Sequence, residues 1–224
     1  MNRVSQWVKC SVLVGVLLGM GALQAQAGIY DSLTPDQQNK VQSGQQVVVM
    51  QEAQGSPWPK LWVYQRIEAT PEESAAVFAD FELAQTYVEN IKKSKISKRI
   101  AKNILEVDYS LSVPVLADED YTVRDTVSSY DNGSSFLVEW NLIKATSTKS
   151  STGFAKFERL GNATILAYYN FVVPGAFGSG LVKDRAMKQV RDTVTATGKQ
   201  IEKERTGNRG LLDKQVQSLR AMVN

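Results

Sequence analysis

Histidine is absent from the 224-residue chain, and there is one cysteine, Cys10. Without an imidazole there is no Ser-His or Cys-His nucleophile pair and no side chain that titrates near neutral pH unperturbed. A zinc site would have to be built from carboxylates alone, against the metal's preference for nitrogen and sulfur. No disulfide is possible within one chain, so packing alone must stabilise the fold. Glycine-rich phosphate loops, metal-ligand spacings, internal repeats and low-complexity tracts are also missing. No catalytic residue, metal ligand or cofactor is assigned from the sequence.

What is present begins with an export pattern. Arg3 and Lys9 precede an apolar run from Val12 to Leu23, followed by Ala25-Gln26-Ala27. A positive start, a short apolar core and a small-x-small site describe a cleaved signal peptide over residues 1–27. The run is shorter than the ~20 residues that span a bilayer. Cys10 precedes the apolar core and follows Val8-Lys9, so it does not sit in a lipobox. Cleavage would leave Gly28 as the N-terminus, remove the single cysteine and lower the formal charge from +3 to +1 by the loss of Arg3 and Lys9. A nearly neutral chain is not a general nucleic-acid binder. The expected location is the periplasm, or the medium if the source has no outer membrane. A large exported domain without cysteine favours the periplasm. Two glycosylation triplets, Asn132-Gly133-Ser134 and Asn162-Ala163-Thr164, fall in turns.

Residues 28–205 read as one domain and 206–224 as a tail or short helix. Thr34-Pro35 and Thr70-Pro71 each start a helix, and Glu73 completes a capping box with Thr70. A break near Asp80 separates the second helix from a further turn through Tyr87. The order is strand (45–54), strand (60–69), helix, six further strands, then a long helix from Leu181 to about Glu204. Leu105, Val107, Tyr109, Leu111 and Val113 share a strand face, as do Phe136, Val138, Trp140 and Leu142. Gly153, Ala155 and Phe157 share a third, and Ile165, Tyr169, Phe171 and Val173 a fourth. Asp131-Asn132-Gly133 is a hairpin turn. Short turns between strands predict an antiparallel meander. On the last helix, Val182, Met187, Val190, Val194 and Ile201 form an apolar stripe. The glycines of residues 175–180 read as a hinge before it. The fold expected is α+β: a curved antiparallel sheet wrapped around a long C-terminal helix, with an apolar hollow between.

Three segments carry a family resemblance. The first is Ile67-Glu68-Ala69-Thr70-Pro71-Glu72-Glu73-Ser74-Ala75-Ala76-Val77-Phe78. The second is Asp120-Tyr121-Thr122-Val123-Arg124-Asp125-Thr126-Val127, and the third is Tyr168-Tyr169-Asn170-Phe171-Val172-Val173-Pro174-Gly175. In order and spacing they resemble the START/SRPBCC superfamily, the helix-grip fold of steroidogenic-acute-regulatory-type lipid-transfer domains and polyketide cyclases. The resemblance spans about residues 45–205. It implies a cavity between sheet and terminal helix suited to sterols, phospholipids, fatty acyl chains or aromatic polyketides. Some members bind and some catalyse, so fold does not fix function. Certain sterol-binding members carry a second arginine six residues beyond the position of Arg124, where this chain has Tyr130.

The candidate ligand-binding set is Tyr109, Arg124, Asp125, Trp140, Phe157, Tyr169, Phe171, Met187 and Val190. Val123 and Val127 put Asp125 on the inward face of its strand, whereas the resemblance would let Arg124 reach the cavity, and a bulge would reconcile the two. The five aromatics line a cavity or form plain core. Asp108, Asp125, Glu139 and Tyr168 are the groups a cyclase-like enzyme would draw on. Lys92, Lys93, Lys95, Lys98, Arg99 and Lys102 form a basic stretch without an acid, which is either a patch for transient contact with anionic membrane or an acidic partner, or a solvated strand edge. The leading expectation is an exported, monomeric carrier that holds a hydrophobic small molecule or lipid non-covalently. The alternatives are a cyclase or aromatase using a cavity carboxylate, and an interaction module whose pocket is vestigial.

Overall fold

The computed structural model describes residues 28–112, 118–175 and 183–224. The expected signal peptide, most of the glycine loop at 175–180, and Val113 and Val182 lie outside the described residues.

Two threonine-proline pairs set the first helices. Thr34 caps α1 (Pro35–Gln42) and Thr70 caps α2 (Pro71–Phe78), each in a full capping box, with Gln37 and Glu73 respectively. Proline at the first helical position gives up no hydrogen bond there and already has a helical φ. A 3-10 turn at Phe81–Leu83 follows α2, then the single-turn helix α3 (Ala84–Tyr87).

The strands are β1 (Val47–Gln51), β2 (Lys60–Ile67), β3 (Ile91–Ala101), β4 (Ile104–Leu111), β5 (Glu119–Tyr130), β6 (Ser135–Ala145), β7 (Ser150–Leu160) and β8 (Ala163–Val173). They form one eight-stranded sheet in the order β1-β2-β8-β7-β6-β5-β4-β3, antiparallel throughout. β8, the last strand of the β3–β8 meander, returns to pair with β2, the strand that precedes the meander. Asp131, Asn132 and Gly133 all take positive φ (52°, 54° and 82°) and close the β5–β6 hairpin. Asparagine and glycine tolerate that region better than other residues do.

The concave face packs on α2, α3 and the long helix α4 (Lys183–Gly207). Its core includes Leu61, Val63, Leu105, Val107, Val138, Phe157, Val194 and Ile201. Gly198 of α4 lies against Gln65 and Ile67 of β2, and a side chain there would collide with Gln65. The convex face has a core of its own. Ile29, Leu33, Val41 and Val47 cover Ile165 and Ala167, with Tyr64 and Phe154 packed beside them.

Residues 209–223 form a full helix, α5 (Arg209–Val223), and its Leu212 and Leu219 are buried against the main core beside α2. Arg209 pairs with Glu73 at 2.5 Å and Arg220 with Glu72 at 2.6 Å. Residues 206–224 are therefore continuous with the core of the domain and not an appendage to it.

Candidate functional site

Between the concave sheet face and the N-terminal half of α4 lies a cavity of about 660 Å³, within the usual range for small-molecule sites, about 300–1,000 Å³. Strands contribute Leu61 from β2, Tyr109 and Leu111 from β4, and Tyr121, Val123 and Asp125 from β5. Trp140 and Leu142 come from β6, and Tyr168, Asn170 and Val172 from β8. Ala186, Met187, Val190 and Thr197 of α4 roof it, and Phe78 and Tyr87 close one side. The lining becomes solvent-exposed at Asp118, Thr146, Ser147 and Arg185.

The rings are arranged in pairs. Tyr109 and Tyr121 face each other across β4 and β5 and stack at 5.3 Å between centroids. Trp140 and Tyr168 meet at 5.1 Å. The indole of Trp140 lies over Gly153, where any Cβ would strike it. That glycine leaves the space the indole fills.

Asp125 is the polar feature of this interior. It is 3% exposed, and its Oδ2 has no hydrogen-bond partner among the described residues. Burial pushes its pKa up to about 8, because desolvation penalises the charged form. Burial also raises Tyr109, Tyr121 and Tyr168 above the ordinary phenol range, and the nearby Asp125 charge adds to each. Tyr87 is pushed up to about 12 by burial, partly offset by a hydrogen bond with Thr197.

Glu119, at the exposed end, behaves oppositely. Burial raises its pKa, but hydrogen bonds outweigh that and hold the carboxyl below its usual range. The Ser147 hydroxyl donates to it at 2.6 Å, and the Ser147 and Thr148 amides at 3.1 and 2.8 Å. Glu119 thereby ties the β6–β7 loop to the start of β5.

Of the sequence-predicted set, Tyr109, Asp125, Trp140, Met187 and Val190 come together around the cavity. Four others do not. Arg124 points to the convex side, 47% exposed, with its Nη2 2.7 Å from Glu106 Oε1. The regular alternation of β5 puts it opposite Asp125, and no bulge at this point reverses it. Tyr169 and Phe171 are also on the convex face, corrected by one residue of register. Tyr169 packs on Trp62 at 4.8 Å and Phe154 at 5.3 Å, and Lys60 Nζ sits 5.9 Å from the Phe171 ring centre. Phe157 does face inward, but it lies beneath α2, 5.6 Å from Phe78, as core and not as lining. The potential catalytic acids separate similarly. Asp125 and Tyr168 line the cavity, whereas Glu139 is exposed and Asp108 accepts from Thr122 at 2.6 Å and Ser97 at 3.1 Å on the outer face.

Tyr121, Tyr168 and Leu142 were absent from that set. Tyr121 shares the parity of Val123, Asp125 and Val127, so its position was readable. The basic stretch is β3, an edge strand with three register shifts along β4. Lys92 bonds Asp118 at 2.7 Å, and the side chains of Lys93, Lys95, Lys98, Arg99 and Lys102 lie exposed. Among the described residues, no group of acidic side chains is placed to hold a metal ion.

No protein-family model matches the sequence, and no curated protein matches it. Solved structures do. A StAR-related lipid transfer protein fragment from Xanthomonas axonopodis superposes with a TM-score of 0.63 at 14% identity, covering 70% of this chain and 93% of that one. Human STARD10 gives 0.61 at 15% identity, covering 75% and 74%. The Zhui aromatase/cyclase from a Streptomyces species gives 0.52 at 15% identity, covering 65% and 94%. At these identities the likeness speaks for architecture: the chain has the START/SRPBCC-like helix-grip fold.

Proposed function

We propose that this protein binds a hydrophobic small molecule of the lipid class, non-covalently, in the cavity beneath α4, and carries it outside the cytoplasm. The observation that carries the reading is the cavity itself, a hollow of about 660 Å³ walled by aromatic and aliphatic side chains. A packed interaction module has no use for such a void, because unfilled volume loses dispersion contacts. Burying a ligand there is favourable by about 2.5 kcal/mol for each 100 Å² of apolar surface removed from water. Lipid-transfer proteins among the structures of like fold support the same reading. The export pattern at residues 1–27 supports the location, and the exposed basic edge of β3 offers a surface for transient contact with anionic membrane. The protein acts as a monomer in this reading.

Native mass spectrometry of the purified protein, followed by solvent extraction, tests it. A co-purifying lipid, or saturable uptake of a neutral lipid probe after delipidation, is expected. Protein that carries nothing and takes up no sterol, fatty alcohol, fatty acid or phospholipid probe would overturn it.

One observation favours a second reading. Asp125 is buried in the cavity lining together with Tyr168, and burial pushes its pKa up to about 8, which suits a general acid in an apolar site. A cyclase-like enzyme would use it next to Tyr168, and Asp125→Asn would then abolish turnover while leaving ligand uptake.

A further inference from the structure

Among the described residues, no cation is paired with Asp125, a buried acid of the cavity lining. On β5, Tyr121 and Asp125 face inward; on β4, Tyr109; on β8, Tyr168; on α3, Tyr87. β6 contributes Trp140 and Leu142, and β2 contributes Leu61. The remaining charged side chains of the lining are Asp118, Glu119 and Arg185. Asp118 pairs with Lys92, and Glu119 is occupied by the β6–β7 loop. Asp118 and Arg185 are solvent-exposed. Asp125 lies six residues further along β5 than Glu119, about 20 Å at the usual strand rise. Arg124, the basic neighbour in sequence, is on the other side of the sheet with Glu106. The Asp125 carboxyl is therefore surrounded by phenol rings, an indole and aliphatic groups.

Resting on the carrier reading, we propose that Asp125 selects an uncharged, oxygen-bearing lipid (an alcohol, ketone or ester) by hydrogen bonding to it, and that it turns carboxylates and phosphates away from this end of the cavity. A buried polar group without a partner costs about 1–3 kcal/mol, so the unpartnered Oδ2 favours a ligand that completes it. A neutral carboxylic acid offers an O–H donor and a carbonyl acceptor, which together suit an alcohol, and the donor alone suits a ketone or ester. An anion would meet a site with no compensating positive charge, and a buried unpaired charge is strongly disfavoured. The affinity for a neutral ligand then depends on the proton that Asp125 holds.

Of the lining groups with shifted pKa values, Asp125 is the one that titrates between pH 6.5 and 9.5; beyond the lining, Asp80 and the buried Glu204 of α4 also act on Tyr87. The three phenols around it are pushed above their ordinary values, Tyr87 to about 12, and Glu119 is held low. With one linked proton and a pKa of about 8, the dissociation constant for a neutral ligand rises about thirtyfold from pH 6.5 to 9.5.

The test is displacement of the neutral dye Nile red from delipidated protein by dodecanol and by laurate, two probes of equal chain length. Dodecanol is expected to bind at least tenfold more tightly than laurate at pH 6.5 and to weaken about thirtyfold by pH 9.5. Asp125→Asn, with folding checked by circular dichroism, should flatten that pH profile. Where the variant does not fold, calorimetry of the unmodified protein at pH 9 in buffers of different ionisation enthalpy should record uptake of about one proton per dodecanol bound. Equal affinity for the two probes, a profile shared by wild type and variant, or no proton uptake overturns the proposal and leaves the carrier reading intact. Protein that binds neither Nile red nor any probe at either pH overturns both.

Discussion

Arg124 and Asp125 are neighbours in sequence that β5 sends to opposite sides of the sheet. The guanidinium reaches Glu106 at 2.7 Å on the convex side, and the carboxyl is buried on the concave one. The charge that would ordinarily neutralise the aspartate is thus one residue away and separated from it by the sheet. The exposed pair contributes little to stability, ~0–1 kcal/mol. The buried carboxyl has a larger and pH-dependent effect.

Folded Asp125 keeps its proton to about pH 8, while an unfolded aspartate loses it near ~3.9. Between those values the native state binds more protons than the unfolded one, so stability falls as pH rises through the window. The loss is about 1.4 kcal/mol for each pKa unit of separation. Chemical denaturation of the ligand-free protein at pH 5, 6.5 and 8 should show this decline, and Asp125→Asn should remove much of it. A variant whose stability falls as steeply as that of wild type would place the titration elsewhere.

Tyr168 and Tyr169 provide a paired test of which face meets the ligand. Tyr168 touches Trp140 within the cavity, and Tyr169 touches Trp62 and Phe154 outside it. Tyr168→Ala should weaken uptake of a neutral lipid about tenfold, the scale of one aromatic contact. Tyr169→Ala should leave affinity within about twofold of wild type and lower stability by ~1–3 kcal/mol. Titration of a fluorescent lipid, paired with urea denaturation, separates the two effects.

The contrast between these tyrosines also shows where sequence reading ends. Alternation placed β4 and β6 correctly, because their outward positions, such as Glu106, Asp108, Glu139 and Asn141, are polar. It placed Asp125 correctly because Val123 and Val127 flank it on the same face. It failed on β8, whose residues from Ala163 to Ala167 are all buried. The segment from Ile29 to Val47 covers the convex side there, so both faces became apolar. A strand covered on both sides reads as a continuous hydrophobic run, and parity cannot be taken from it. Phe157 illustrates a different limit. Its face was legible, but whether α2 or empty space lay above it was decided by tertiary packing. A short helix after the glycines at 207 and 210 was legible, because Leu212, Val216 and Leu219 carry a helical spacing, but its docking on the main core was decided by tertiary packing.

Gly153 is expected to be intolerant of substitution. A Cβ there would meet the Trp140 ring and the Tyr169 carbonyl oxygen. Gly153→Ala should destabilise by ~1–3 kcal/mol, the cost of overpacking. Displacement of the indole should also shift the tryptophan emission of the folded protein. Unchanged stability and emission would mean that the sheet accommodates the methyl without moving Trp140.

The export reading makes a separate prediction. Ile29 donates its amide hydrogen to Glu158 Oε2 at 2.6 Å, so the chain is fixed to the sheet immediately after the expected cleavage site. Intact-mass measurement on protein from the cell envelope or medium should give Gly28 as the first residue. A chain that still begins at Met1 and sediments with membranes would contradict it.

The terminal helix α5 allows packing and surface charge to be compared within one element. Leu212 and Leu219 are 0% and 1% exposed and belong to the main core. Arg220, on the same helix, makes a bidentate pair with Glu72 at 2.6 and 2.8 Å, but it is 58% exposed. Truncating a buried leucine loses its transfer free energy and leaves a cavity, so Leu212→Ala or Leu219→Ala should cost ~2–5 kcal/mol. Breaking a solvent-screened ion pair should cost under ~1 kcal/mol, so Arg220→Ala should be close to wild type in 0.15 M salt. Urea denaturation midpoints measure both on the same scale. If Arg220→Ala proved as damaging as either leucine variant, α5 would be held by its charges, and its place in the core would have to be reconsidered.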